Sequence, residues 1–110
     1  MANTCIVVAN EPRAYREALA AALHALRPHI EVICIEPADL DGNVCHYSPR
    51  LVLCSRLTEA VKTCCDAWIL LYPNRENRAV ISVARHRTLV TNVELSHVLA
   101  VIDEVEPPAQ

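Results

Sequence analysis

The sequence predicts an α/β fold: a three-layer α/β/α arrangement around a central, mostly parallel sheet, closed by a C-terminal β-hairpin. Three observations carry that expectation. Short runs of almost unbroken apolar residues, many β-branched, recur as TCIVVA (4–9), IEVICI (30–35), RLVLC (50–54) and AWILLY (67–72). Such runs belong to strands covered on both faces. Segments of helical spacing separate the first run from the second and the third from the fourth, and strand–helix alternation predicts parallel pairing.

The elements follow in order. After the first strand, Asn10 offers a helix N-cap with Glu11 and Pro12 in the first turn. Tyr15, Ala18, Leu19, Ala22, Leu23 and Leu26 then recur on one helical stripe until Pro28 ends it. The second strand stops at Glu36-Pro37, and ADLDGNVCHYS reads as a turn at Asp41-Gly42-Asn43 with room for a short helix at most. Thr58–Cys65 caps and forms a two-turn helix before the fourth strand, which Pro73-Asn74 closes.

AVISVA (79–84) and TLVT (88–91) flank Arg85-His86-Arg87 and predict a hairpin over 79–92; a helix over 76–86 before a final strand is the alternative. Thr91-Asn92-Val93-Glu94 matches a capping box ahead of a closing helix with Leu95, Val98, Leu99, Ile102 and Val105 on its stripe. One domain over 1–105 and a frayed tail over 106–110 complete the expected organisation.

Composition narrows the function. Hydrophobic residues make up 53% and charged residues 21%, as in a globular chain. Apolar runs of about five to seven residues are far shorter than a membrane helix, and no signal-peptide pattern is visible, so a cytoplasmic protein without membrane partners is expected. Ten Lys and Arg against thirteen Asp and Glu give a net charge of −3, which argues against a nucleic-acid partner. A local basic patch of Arg75, Arg78, Arg85, His86 and Arg87 stands out, with solvated loop charge as its simplest reading.

The six cysteines fit no zinc spacing. Cys5, Cys34 and Cys54 lie in apolar runs, where a free thiol behaves as a small buried hydrophobe, so free thiols are expected rather than bridges.

Some local wording resembles the response-regulator receiver domain, a flavodoxin-like signalling fold. IVVANEP (6–12) looks like its first strand, PRLVLCSRL (49–57) its third, and LVTNVELSHVLAVI (89–102) its last strand and helix. The resemblance implies receiver-like element order, with the hairpin replacing the usual fourth helix. It also implies where the family's chemistry falls. The acidic pair falls on Ala9 and Asn10, the phosphoacceptor aspartate on Ser55, the hydroxyl residue on Tyr72 and the lysine on Thr91. Magnesium wants carboxylate oxygens, and phosphoryl transfer depends on that metal and on nearby cations. With those groups absent, a degenerate, phosphorylation-independent receiver is expected, with neither metal nor cofactor.

The remaining sites are weighed the same way. Ligands of open α/β sheets sit beyond the strands' carboxyl ends, which selects Asn10, Glu11, Glu36, Ser55 and Asn74 as a rim. One glycine, Gly42, leaves no phosphate-binding loop. Cys54 and Ser55 have no identifiable base, and His24, His46 and His97 have no assigned role. The expected function is therefore regulation through contact with a protein partner or a second copy, without catalysis. Val80, Ser82 and Ala84 on one strand, opposite Arg87, Leu89 and Thr91 on the other, offer an edge for that contact. A small-molecule binder or small enzyme at the rim is the alternative.

Overall fold

The computed structural model describes residues 5–73 and 76–105. Asn74, Arg75 and the tail over 106–110 lie outside the described residues. The elements are β1 (Cys5–Ala9), α1 (Arg13–Leu26), β2 (Glu31–Cys34), a 3-10 turn (Pro37–Asp39) and α2 (Leu40–Tyr47). They continue with β3 (Leu51–Cys54), α3 (Glu59–Cys64), β4 (Ala67–Leu71), β5 (Arg78–Val83), β6 (His86–Thr91) and α4 (Leu95–Val105).

Among the described residues six strands form one sheet in the order β2-β1-β3-β4-β5-β6. The pairings β1–β2, β1–β3 and β3–β4 are parallel, whereas β4–β5 and β5–β6 are antiparallel. This corrects the expected three-layer sandwich around a mostly parallel sheet: the sheet is mixed and its C-terminal half is antiparallel. The reason is the connection after β4. A parallel crossover takes about a dozen residues or more, and only residues 72–77 separate β4 from β5. The chain must turn back beside β4, and with no crossover helix the second helical layer stops short.

Side-chain alternation along the strands divides the core in two. On one face, Ile6, Val8, Leu51, Leu53, Ile69 and Leu71 pack with Leu19 and Leu23 of α1 and Val98, Val101 and Ile102 of α4. On the other, Val7, Ala9, Val52, Cys54 and Trp68 pack with Leu40 and Val44 of α2 and Val61 of α3. The two-sided burial explains why β1 and β3 read as unbroken apolar runs. β2 is the exception: an edge strand, it leaves Glu31 and Cys34 exposed, so Cys34 is not the buried thiol its run suggests.

The hairpin is present, with its first strand shifted by one residue, its second strand longer and its turn tighter than the sequence implied. Ala84 and Arg85 alone form the turn, at φ 51° and 69°, the two positive φ angles of a type I′ connection. Three helix starts also differ from expectation. Pro12, not Asn10, is the residue before α1. The Asp41-Gly42-Asn43 turn is part of α2. Thr91 belongs to β6, and α4 is instead held at its start by the Glu94 N–H donating to His97 Nδ1 at 2.8 Å, half of a capping box displaced by three residues. Thr58 does cap α3, its hydroxyl accepting from the Val61 N–H.

A disulfide joins Cys45 on α2 to Cys64 on α3, with Cα atoms 5.3 Å apart, correcting the expectation of free thiols throughout. The same helices are tied by Thr58 Oγ1 donating to Asp41 Oδ1 at 2.7 Å. Among the described residues no helix is long and apolar enough to cross a membrane.

Candidate functional site at the carboxyl ends of the strands

Because β1 lies between β2 and β3, the direction in which successive strands are added reverses there, and the crevice beyond these strand ends is where open α/β sheets hold ligands. An open cleft of about 600 Å³ occupies this place. Glu11 and Pro12 enter it after β1, Ser55, Arg56 and Leu57 after β3, and Leu70, Tyr72 and Pro73 from the end of β4.

Three of the singled-out residues therefore meet in one cleft: Glu11, Ser55 and Tyr72. Ser55 Oγ accepts from the Glu11 N–H at 3.1 Å, fastening the loop after β3 to the loop after β1. Tyr72 sits at φ 54°, a conformation costly for a bulky residue. It is held there by an edge-on contact with Tyr15, ring centroids 5.4 Å apart, and by its hydroxyl donating to the Val93 carbonyl at 3.4 Å. Burial, then the neighbouring Tyr72, pushes the Tyr15 phenol well above its usual range.

The others are placed apart. Ala9 is sealed in the core under α2 and α3. Asn10 is 0% exposed, and its Nδ2 donates to the Leu71 carbonyl at 3.2 Å while Oδ1 has no partner among the described residues. Instead of capping a helix, Asn10 pins the end of β1 to the end of β4. A carboxylate in its place would face the Leu71 carbonyl oxygen, so this position is built for a donor. Glu36 reaches the buried Arg16 at 3.4 Å, outside the cleft. Thr91 pairs with Arg78 on the far side of β5 from β4.

Arg16 is the residue that sequence reasoning missed. It is buried, donates to the Asn10 carbonyl at 3.1 Å and to Glu36, and so braces β1, α1 and the segment after β2 together. The signal was available: Arg16 stands at i, i+3 and i+7 with Leu19 and Leu23, on the face that packs inward.

The chemistry of this cleft is limited. Among the described residues that line it, Glu11 is the one carboxylate, and neither His24, His46 nor His97 is among them. Ser55 has no base hydrogen-bonded to it among the described residues. The adjacent Cys54 is buried and donates to the Ile69 carbonyl; burial pushes its thiol up to about 12, far from an active thiolate. Burial likewise pushes Cys65 up to about 11. Among the described residues no group of three or more His, Cys, Asp or Glu is arranged to hold a metal ion. No family model, curated protein or solved structure matches the chain.

Proposed function

We propose that this chain is a receiver-like regulatory module that acts by protein–protein contact, independently of phosphorylation, and that its partner is a second copy joined along β6. The observation that carries this reading is the free edge of the hairpin. In a two-residue hairpin the pair closing the turn is hydrogen-bonded, and such pairs alternate along the ladder. Val83–His86, Ile81–Thr88 and Ala79–Val90 therefore use their backbone groups within the hairpin. The N–H and C=O groups of Arg87, Leu89 and Thr91 point outward, beyond the last strand of the sheet.

Self-pairing about a two-fold axis at Leu89 uses every one of those groups. Leu89 meets Leu89 of the second copy, and Arg87 meets its Thr91, for about six backbone hydrogen bonds. No arginine then faces an arginine. Leu89 is 61% exposed and lies in a cross-strand row with the partly buried Val80 and Leu70, so pairing extends an apolar strip that the short second helical layer covers only in part. Among the described residues lining the cleft no second carboxylate joins Glu11 near Ser55, and Asn10 is committed as a donor, which supports independence from phosphoryl chemistry. A cytoplasmic setting belongs to the same proposal: no helix among the described residues is long and apolar enough to cross a membrane, and four of the six cysteines are free beside the Cys45–Cys64 bridge.

Sedimentation equilibrium of the wild-type chain and Leu89→Lys tests the proposal. The expected result is a wild-type dimer at tens of micromolar and a monomeric variant with unchanged circular dichroism. A wild-type monomer at high micromolar concentration, or a variant that dimerises equally well, overturns it. Incubation with Mg²⁺ and a small phosphodonor should leave the intact mass unchanged; a stoichiometric phosphate adduct lost in Ser55→Ala would contradict the second half of the reading.

A further inference from the structure

A second concavity lies at the opposite end of the sheet, where β4 begins and the hairpin turns. It has a volume of about 290 Å³ and is lined by residues from three separated segments: Lys62 on α3, Asp66 and Trp68 at the start of β4, and Ser82, Arg85 and Arg87 on the hairpin. Three cations thus converge against one carboxylate, in a chain whose net charge is −3. Within the sheet, Trp68 pairs with Ser82 and Ser82 with Arg87, so these three side chains stand in a row on one face.

The row is organised as a binding surface is. The Arg87 guanidinium lies over the Trp68 ring, 5.3 Å from its centroid, a cation–π contact that does not consume the N–H donors of the guanidinium. Arg87 and Arg85 make no ion pair with a described carboxylate. Lys62 is shared with the exposed Glu59 at 2.9 Å, an i, i+3 surface pair that costs little to exchange. Ser82 is only 4% exposed, yet it lines the cavity and its hydroxyl has no hydrogen-bond partner among the described residues. The Ser82 hydroxyl, on a residue that lines the cavity, is left to pair with what enters it.

From this arrangement we infer that the cavity binds the phosphate group of a small phosphomonoester. Guanidinium and ammonium donors with a hydroxyl are the groups that recognise a dianionic phosphate. The volume is at the low end for small-molecule sites, which suits a phosphate with a short organic portion and not a dinucleotide. The site uses different residues from the strand-end cleft and goes beyond the dimer reading, whose failure would not affect it.

Trp68 is the only tryptophan of the chain, so its fluorescence reports on this wall directly. The test titrates inorganic phosphate and glycerol 3-phosphate into the full chain, with potassium chloride at matched ionic strength as reference, and follows Trp68 emission and the thermal midpoint. Saturable changes with both ligands are expected, the ester binding at least as tightly as inorganic phosphate. Arg87→Gln and Lys62→Gln should each weaken binding about tenfold or more, the loss of one charge-assisted contact. Lys62 is on the helix surface, so its variant keeps the test valid if removing Arg87 from Trp68 perturbs the hairpin. A linear response matching chloride, saturation by inorganic phosphate alone (an adventitious ion only), or undiminished binding in both variants overturns the inference.

Discussion

Opening the Cys45–Cys64 bridge perturbs the unfolded chain more than the folded one. Cys45 is exposed and Cys64 half-buried, so two thiols at this place leave no buried void, and α2 and α3 remain joined by the Thr58–Asp41 hydrogen bond. The unfolded chain, however, loses a closed loop set by a sequence separation of 19. The chain-entropy relation gives a loss of roughly 11 cal/mol/K for a loop of that size, or about 3 kcal/mol at 25 °C. For a domain whose total stability is of the order of 5–15 kcal/mol, that is a large fraction. With an unfolding entropy of about 2.1 cal/mol/K per residue it corresponds to a fall in Tm of roughly 12–15 °C. The assay is urea and thermal unfolding of the oxidised chain, the chain reduced with a phosphine, and Cys45→Ser/Cys64→Ser, alongside thiol titration. A bridge acting in this way gives four reactive thiols in the denatured, unreduced protein, near-identical native circular dichroism in all three samples, and similar losses for reduction and double substitution. Six thiols before reduction, or unchanged midpoints in the variant, would refute it.

Two further outcomes are expected. Gly42→Ala should stabilise the protein by about 0.8–1 kcal/mol in urea unfolding, because Gly42 lies inside α2 and an added Cβ meets nothing within 4 Å; a loss of stability would restore the turn that Asp41-Gly42-Asn43 suggests. Asp103 governs part of the acid limb: Arg27, bonded to both its oxygens at 2.7 Å, holds its carboxyl below the usual carboxylate range. A folded pKa below the unfolded one gives stability that is present above the unfolded value near 3.9 and is lost as pH falls through the folded value. Asp103→Asn should accordingly flatten the pH dependence of stability below about pH 4, and an unchanged acid limb would deny the pair this role.

Residues buried on both sides were legible because they need no partner to be specified in detail. The runs at 5–9, 51–54 and 67–71 are apolar at every position, and every such run became a strand of the common core. The hairpin was legible from β-branching at Val80, Ile81 and Val83, and its turn was less so, since Ala84-Arg85 carries none of the glycine or asparagine that positive φ favours. Gly42 misled because a glycine beside Asp and Asn signals a turn locally, whereas Leu40 and Val44, four residues apart, are both buried against the sheet and hold that stretch helical.

Of the candidate site, residue identities were legible and roles were not. That Ala9, Asn10 and Ser55 bring no carboxylate follows from their chemistry alone. That Asn10 pins β1 to β4, that Arg16 is a buried brace, and that Lys62 joins Arg85 and Arg87 around Trp68 depend on contacts between segments far apart in the chain.

By itself the sequence determined the strands and the main helices, because periodicity and β-branching are properties of short stretches. Only the tertiary structure decided the mixed sheet, the Cys45–Cys64 bridge and the grouping of charges at the two sheet ends. Each depends on how far a connection can reach and which segments it brings within a few ångströms, and a local pattern carries no record of that distance.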